Sequence, residues 1–319
     1  MRTMLSAIGL GVSLACACHF ASAQTVTVTQ QGYGNTAAAE QVVLPGADLD
    51  DPSAATAIIT QVGDNNHVGG AGAVTDGIVQ RDNRYGGALA VVEQYGSGNN
   101  AAITQDGTSS AHGPVDVTIT QRGTLNEAMV WQHIMTSSPA TVEQYGNGNL
   151  AHVEQIDSAD TGVRVMQNGN ANLLSLSQRG GAYYGPDITQ NGDGNSAAVI
   201  TDNAPAGGPT IVQTGTLNSA STVQIEGFNS NITIAQLGWG NHAEASQVGE
   251  SHQIRFDQNG SNNVASVTQS AAIGTGGANT ALVAQLGNSN SAFVRQVGEG
   301  YTANVSQTGA GNWTSINQH

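Results

Sequence analysis

The chain has 319 residues, of which only 10% are charged and 4% aromatic, while glycine alone fills 42 positions. A soluble globular domain usually carries about 25% charged residues and more large apolar side chains, so this composition points away from an ordinary enzyme. The cations are eight arginines with no lysine, set against 23 acids for a net charge of -15, which leaves no basic footprint for nucleic acid.

Residues 1–23 read as a secretory signal peptide. Arg2 gives a positive start, residues 5–18 are apolar or small, and Ala21-Ser22-Ala23 supplies a small-x-small site that places cleavage before Gln24. The apolar stretch is shorter than the roughly 20 residues a membrane helix needs. Both cysteines, Cys16 and Cys18, fall inside this leader, so the processed chain has no thiol with which to form a disulfide.

Residues 24–319 read as one repeat array, less regular over 42–91. The string Gln-x-Gly-x-x-Asn occurs twelve times, and these copies are numbered 1 to 12 below. Their glutamines are Gln30, Gln61, Gln94, Gln121, Gln144, Gln167, Gln190, Gln213, Gln236, Gln258, Gln285 and Gln307. The glycines are Gly32, Gly63, Gly96, Gly123, Gly146, Gly169, Gly192, Gly215, Gly238, Gly260, Gly287 and Gly309. The asparagines are Asn35, Asn66, Asn99, Asn126, Asn149, Asn172, Asn195, Asn218, Asn241, Asn263, Asn290 and Asn312. From Gln121 to Gln236 five consecutive steps are each 23 residues. A β-branched or aromatic residue stands two before every one of these glutamines, and in ten copies a second Gln follows 11 residues after the first.

Alternate residues of a strand share a face, so Val142 and Gln144 point one way, as do Asn149, Ala151, Val153 and Gln155. The glycine between them gives the freedom a tight bend requires. Each copy is therefore expected to be a strand, a four-residue turn and a second strand, too thin to bury its apolar face alone. Stacking the copies about 4.8 Å apart buries that face. The expected fold is an all-β solenoid of about twelve strand–turn–strand rungs with two parallel sheets facing each other. An unsatisfied buried amide costs roughly 1–3 kcal/mol. A ladder of identical Gln or Asn side chains removes that cost, because each NH2 donates to its own copy one rung away. Insertions fall only at the second turn, as in the long loop over residues 44–52, where they read as surface loops.

The pattern Gln-x-Gly-x-x-Asn-x-Ala-x-x-x-Gln, seen in Gln144 to Gln155, resembles the curlin repeat of bacterial curli subunits. That resemblance implies a subunit secreted across a Gram-negative envelope and polymerised at the cell surface into amyloid fibres that serve adhesion and biofilm matrix. As partners it implies a nucleating subunit and an outer-membrane secretion channel. Two features differ from the family pattern: the twelve copies exceed the usual five or so, and the chain enters its first strand almost directly at Thr25.

The twelfth copy runs to Gln318, one residue before the end of the chain, so no cap is expected beyond it. Open terminal strands template further strands and soluble solenoids generally carry polar caps, so an axial homopolymer is expected. No catalytic, metal or cofactor site is expected, because the acids are scattered and the histidines lack metal-ligand spacing. A small-molecule substrate is not expected either. The alternative is a monomeric solenoid that acts as an adhesin or other surface-binding protein. An ice-binding threonine array is interrupted by Glu143, Arg164, Met166 and Asp257.

Overall fold

The computed structural model describes residues 12–16, 25–42, 55–69, 77–81, 87–107, 115–181, 183–272 and 277–319. The expected cleavage site at residues 21–23 and the loop over residues 44–52 lie outside them. Among the described residues there is no helix, and the strands pair in parallel to form a β-solenoid of two sheets. Two compact units divide the chain, Met1–Gly148 and Asn149–His319.

In the first unit, the strands ahead of each turn form one sheet in the order Thr25–Gln31, Thr56–Asp64, Leu89–Ser97, Val117–Thr124 and Ala140–Asn147. The strands after each turn form the other sheet. It starts with Thr36–Val42, continues with the two short strands His67–Val68 and Ile78–Arg81, and then adds Asn100–Asp106 and Glu127–His133. Part of the expected leader, Val12–Cys16, lies parallel to Thr36–Val42, with Val12 opposite Ala37 and Cys16 opposite Gln41.

The second unit repeats the plan. Val163–Asn168, Asp187–Asp193, Thr210–Thr216, Asn231–Trp239, Gln253–Ser261, Thr280–Asn288 and Thr302–Ala310 make its first sheet. Its second sheet runs from Leu150–Ile156 through Leu173–Arg179, Ser196–Asp202, Ser219–Ile225, His242–Val248, Val264–Ser270 and Ser291–Val297 to Trp313–Gln318.

Register follows the repeat without slippage. Ile119 stands opposite Val92 and Val142, and Gln121 opposite Gln94 and Gln144. A shift by one residue would move every inward side chain to the outer face. Inward β-branched residues such as Ile59, Val92 and Ile119 in the first unit, and Ile188, Ile211 and Ile234 in the second, are fully buried. Each such side chain contributes roughly 1.5–3 kcal/mol when buried. In nine copies a small Ala stands two residues after the turn Asn, as at Ala128 and Ala243, and it is likewise buried.

The irregular stretch of copy 2 is accommodated without disturbing the first sheet, where Thr56–Asp64 and Leu89–Ser97 stay in register from Thr56 opposite Leu89 to Asp64 opposite Ser97. Its cost falls on the second sheet. The inserted residues split that strand in two, and Ile78–Arg81 supplies the inward residues opposite Ala39 to Val42.

Candidate functional site

The side chains with a shared role are the inward amides. In the first unit, Gln30 Nε2 donates to Gln61 Oε1 at 2.6 Å, and the series continues Gln61 to Gln94, Gln94 to Gln121 and Gln121 to Gln144 at 2.8–2.9 Å. In the second unit it runs from Gln167 through Gln190, Gln213, Gln236, Gln258 and Gln285 to Gln307, each step 2.8–2.9 Å. From Gln61 onward, the second hydrogen on Nε2 crosses the interior. Gln121 gives it to the Asn100 carbonyl, and Gln190 to the Leu173 carbonyl. The amide thus joins two rungs and two sheets at once, with both donor hydrogens used. All of these glutamines are buried except Gln30, which is half-buried.

The asparagines form a second ladder at the turn. Asn195 donates from both its backbone N and its Nδ2 to Asn172 Oδ1, at 3.0 and 3.1 Å, while its Nδ2 also donates to the Gly215 carbonyl at 2.9 Å. The same triple arrangement holds for Asn66, Asn99 and Asn126 in the first unit. In the second it holds for Asn172, Asn218, Asn241, Asn263 and Asn290. At the outer copies Asn35 donates to the Gly63 carbonyl, Asn149 to that of Gly169, and Asn312 to Asn290 Oδ1. Gln side chains donate toward the C-terminal neighbour, whereas the Asn-to-Asn bonds donate toward the N-terminal one, so every rung has a direction.

The turn glycine makes this possible for two reasons. All twelve have φ between 108° and 125°, a region L side chains avoid. In addition, a Cβ on Gly215 would lie 2.0 Å from the Gly238 carbonyl oxygen, and one on Gly123 equally close to that of Gly146. Those carbonyls are the acceptors that Asn218 and Asn126 use.

Three features of the site went unread in the sequence. The residue just before each Asn also has positive φ, whether it is Gly, as at Gly194, or Leu, as at Leu125 and Leu217. The second-strand glutamines form their own ladder, and copy 2 contributes to it through Gln80, which accepts from Gln41 and donates to Gln105. A spacing of 11 from Gln61 misses Gln80 because the insertion lies inside that strand. The third feature is a ladder at the second turn: His252 N donates to Ser230 Oγ, Asn279 N to His252 Nδ1, and Tyr301 N to Asn279 Oδ1.

The second-strand ladder of the second unit is interrupted over two rungs, those of Thr201 and Gln224. It runs from Gln155 to Gln178 and again from Gln247 through Gln269 and Gln296 to Gln318. Between these, Thr201 occupies the position of the glutamine. Thr201 Oγ1, Thr222 Oγ1, Gln224 Oε1 and Gln247 Oε1 are buried without hydrogen-bond partners among the described residues. The hydroxyl of Thr201 is too short to span one strand spacing, so the acceptor on Gln224 receives nothing, and Gln224 Nε2 donates to the Ser230 carbonyl, leaving Gln247 Oε1 without a donor.

His252 is fully buried, and its Nδ1 accepts from Asn279, which leaves the ring proton on Nε2. Burial holds its pKa below the usual value, opposed by the Val248 carbonyl and the Glu299 carboxylate. Among the described residues no group of three or more His, Cys, Asp or Glu is placed to hold a metal ion. The arrangement binds rung to rung.

In comparison with known proteins, residues 116–156 and 275–298 match the curlin associated repeat. No curated protein sequence matches the chain.

Two predictions follow from the ladders. Replacing Thr201→Gln should restore the missing rung of the second-strand ladder and raise unfolding stability by about 1 kcal/mol, read as a shift of the urea midpoint. An unchanged or lowered midpoint would contradict the account. For His252, the unfolded chain takes up the proton first as pH falls through about 6.5. Its stabilising share is therefore complete above that pH and is lost as the pH drops below it. Stability measured from pH 7 to pH 5 should fall more steeply in the parent than in His252→Asn, which places the side chain already found at Asn279. Parallel pH profiles would show that the imidazole carries no such linkage.

Proposed function

We propose that the processed chain, residues 24–319, is a secreted structural subunit that polymerises end to end into curli-type amyloid fibres outside a Gram-negative cell. The curlin associated repeat over residues 116–156 and 275–298 supports a curli-type structural role. The observation that carries the polymerisation reading is the direction built into every rung. A rung offers Gln Nε2 to the neighbour on its C-terminal side and Gln Oε1 to the one on its N-terminal side. One chain is therefore the complement of another only when the two are stacked head to tail.

Copy 1 has the unfilled half of such a junction. Gln30 Oε1 is shielded from solvent and accepts no hydrogen bond among the described residues. A donor in the position of Gln307 Nε2 from a second chain would satisfy it, as Gln285 is bonded to Gln307 within one chain. Head-to-tail contacts of this kind continue as filaments when the rotation between subunits does not close a ring. In the unprocessed chain Val12–Cys16 covers the edge of Thr36–Val42, so removal of the leader on export frees that edge for pairing. Adhesion and biofilm matrix are the roles that suit such a fibre. A nucleating subunit and an outer-membrane channel are its proposed partners.

The test uses residues 24–319 refolded from denaturant, followed by amyloid-dye fluorescence and electron microscopy. The expected result is unbranched fibrils after a lag that preformed seeds abolish. A folded, dye-negative monomer that ignores seeds would overturn polymerisation and favour a monomeric adhesin.

A further inference from the structure

Strand Thr36–Val42 opens the second sheet of the repeat array, and on one side it pairs with His67–Val68 and Ile78–Arg81. Its other edge carries Val12–Cys16 of the expected leader, paired in parallel with Val12 opposite Ala37, Leu14 opposite Ala39 and Cys16 opposite Gln41. Ala37, Ala39 and Gln41 are the buried positions of Thr36–Val42. The leader segment therefore lies where the second strand of a preceding rung would lie. It fills only half of such a rung, because Thr25–Gln31 has no strand before it among the described residues.

The far end of the array shows what a complete preceding rung would bring. Trp313–Gln318 pairs in parallel with Ser291–Val297, setting Thr314 opposite Ala292, Ile316 opposite Val294 and Gln318 opposite Gln296. Ala292 and Ala37 both stand two residues after the turn Asn, and Gln296 and Gln41 both follow four residues later. A second chain stacked head to tail in the repeat register would thus set Thr314 opposite Ala37, Ile316 opposite Ala39 and Gln318 opposite Gln41. Those places are held by Val12, Leu14 and Cys16. One edge cannot pair with both segments.

We propose that the leader is an end cap, a strand that takes the docking edge of Thr36–Val42 in place of the C-terminal strand of a second chain. The inference rests on the fibre function proposed above. Strand addition draws its affinity from main-chain hydrogen bonds, so a segment of different sequence can take the place. The leader competes from within its own chain, at an effective concentration on the order of millimolar, whereas a free chain competes at its bulk concentration. The cap is one-sided, because it leaves Thr302–Ala310 and Trp313–Gln318 open. An unprocessed chain can dock through that last rung onto a fibre, but it then presents a filled edge to the next chain. Growth stops there.

The experiment compares three forms: residues 24–319, the full chain, and the full chain carrying Leu14→Pro and Ala15→Pro. Proline has no N–H to give a ladder, and two adjacent prolines reach whichever N–H faces the edge. Backbone hydrogen exchange is measured first on the monomers. The amides of Thr36–Val42 that face the leader should exchange roughly tenfold or more slowly in the full chain than in the other two forms. Each form is then offered alone to seeds of residues 24–319. Residues 24–319 and the proline variant are expected to lengthen the seeds, and the full chain to leave them unlengthened. Equal exchange in all three forms would overturn the cap, as would a full chain that lengthens seeds as fast as residues 24–319. Stalling by the full chain and the proline variant alike would also overturn it, since strand pairing would not be the cause. If residues 24–319 form no fibres, the fibre reading and the capping role fall together, while the exchange rates still report whether the leader holds the edge.

Discussion

A buried primary amide must find two acceptors and one donor, and here it finds them in its own copy one strand spacing away. This constraint governs the remainder of the structure. An Nε2 that bonds both to the next glutamine and to a carbonyl of the opposite sheet, as Gln190 does with Gln213 and Leu173, fixes the distance between sheets as well as between rungs. Apolar side chains such as Ile188 and Ile211 supply bulk burial, which is not directional. The amides supply register, because a displaced rung would leave several donors unsatisfied in a dry interior.

The other regularities follow from keeping that spacing. Glycine is needed at the third position of the Gln-x-Gly-x-x-Asn string because the Asn above it must reach its carbonyl, and a Cβ there would fall on the backbone of the next turn, as at Gly215. The first turn therefore never changes length. The second turn tolerates insertions, and the ladder there is chemically mixed: Ser230, His252 and Asn279 each present one acceptor to the backbone of the next rung. Any side chain that can accept there is sufficient, so no single residue type marks the position. The same freedom puts a titratable imidazole into the ladder.

The fold class and the principal ladder were legible because their signal is periodic. A Gln at constant distance from a Gly and an Asn, repeated at 23-residue steps, has few physical solutions other than stacked strands. What stayed hidden was whatever the insertions or substitutions uncoupled from spacing. Gln80 lies 19 residues after Gln61 instead of 11, yet bonds to Gln41 and Gln105 as any other rung would. The positive φ of Leu217 was unreadable because leucine is a poor occupant of that conformation. The absence of Gln at Thr201 was visible, but its consequence, a set of unpaired buried oxygens in adjacent rungs, required the register.

The central claim is that the inward amides are bonded rung to rung and shielded from water, and side-chain amide hydrogen exchange followed by NMR tests it most directly. In the folded chain the Nε2 protons of Gln190, Gln213 and Gln236 and the Nδ2 protons of Asn195 and Asn218 should exchange as slowly as the backbone amides of their own strands. Protected backbone amides beside side-chain amides that exchange at the rate of free glutamine would contradict it.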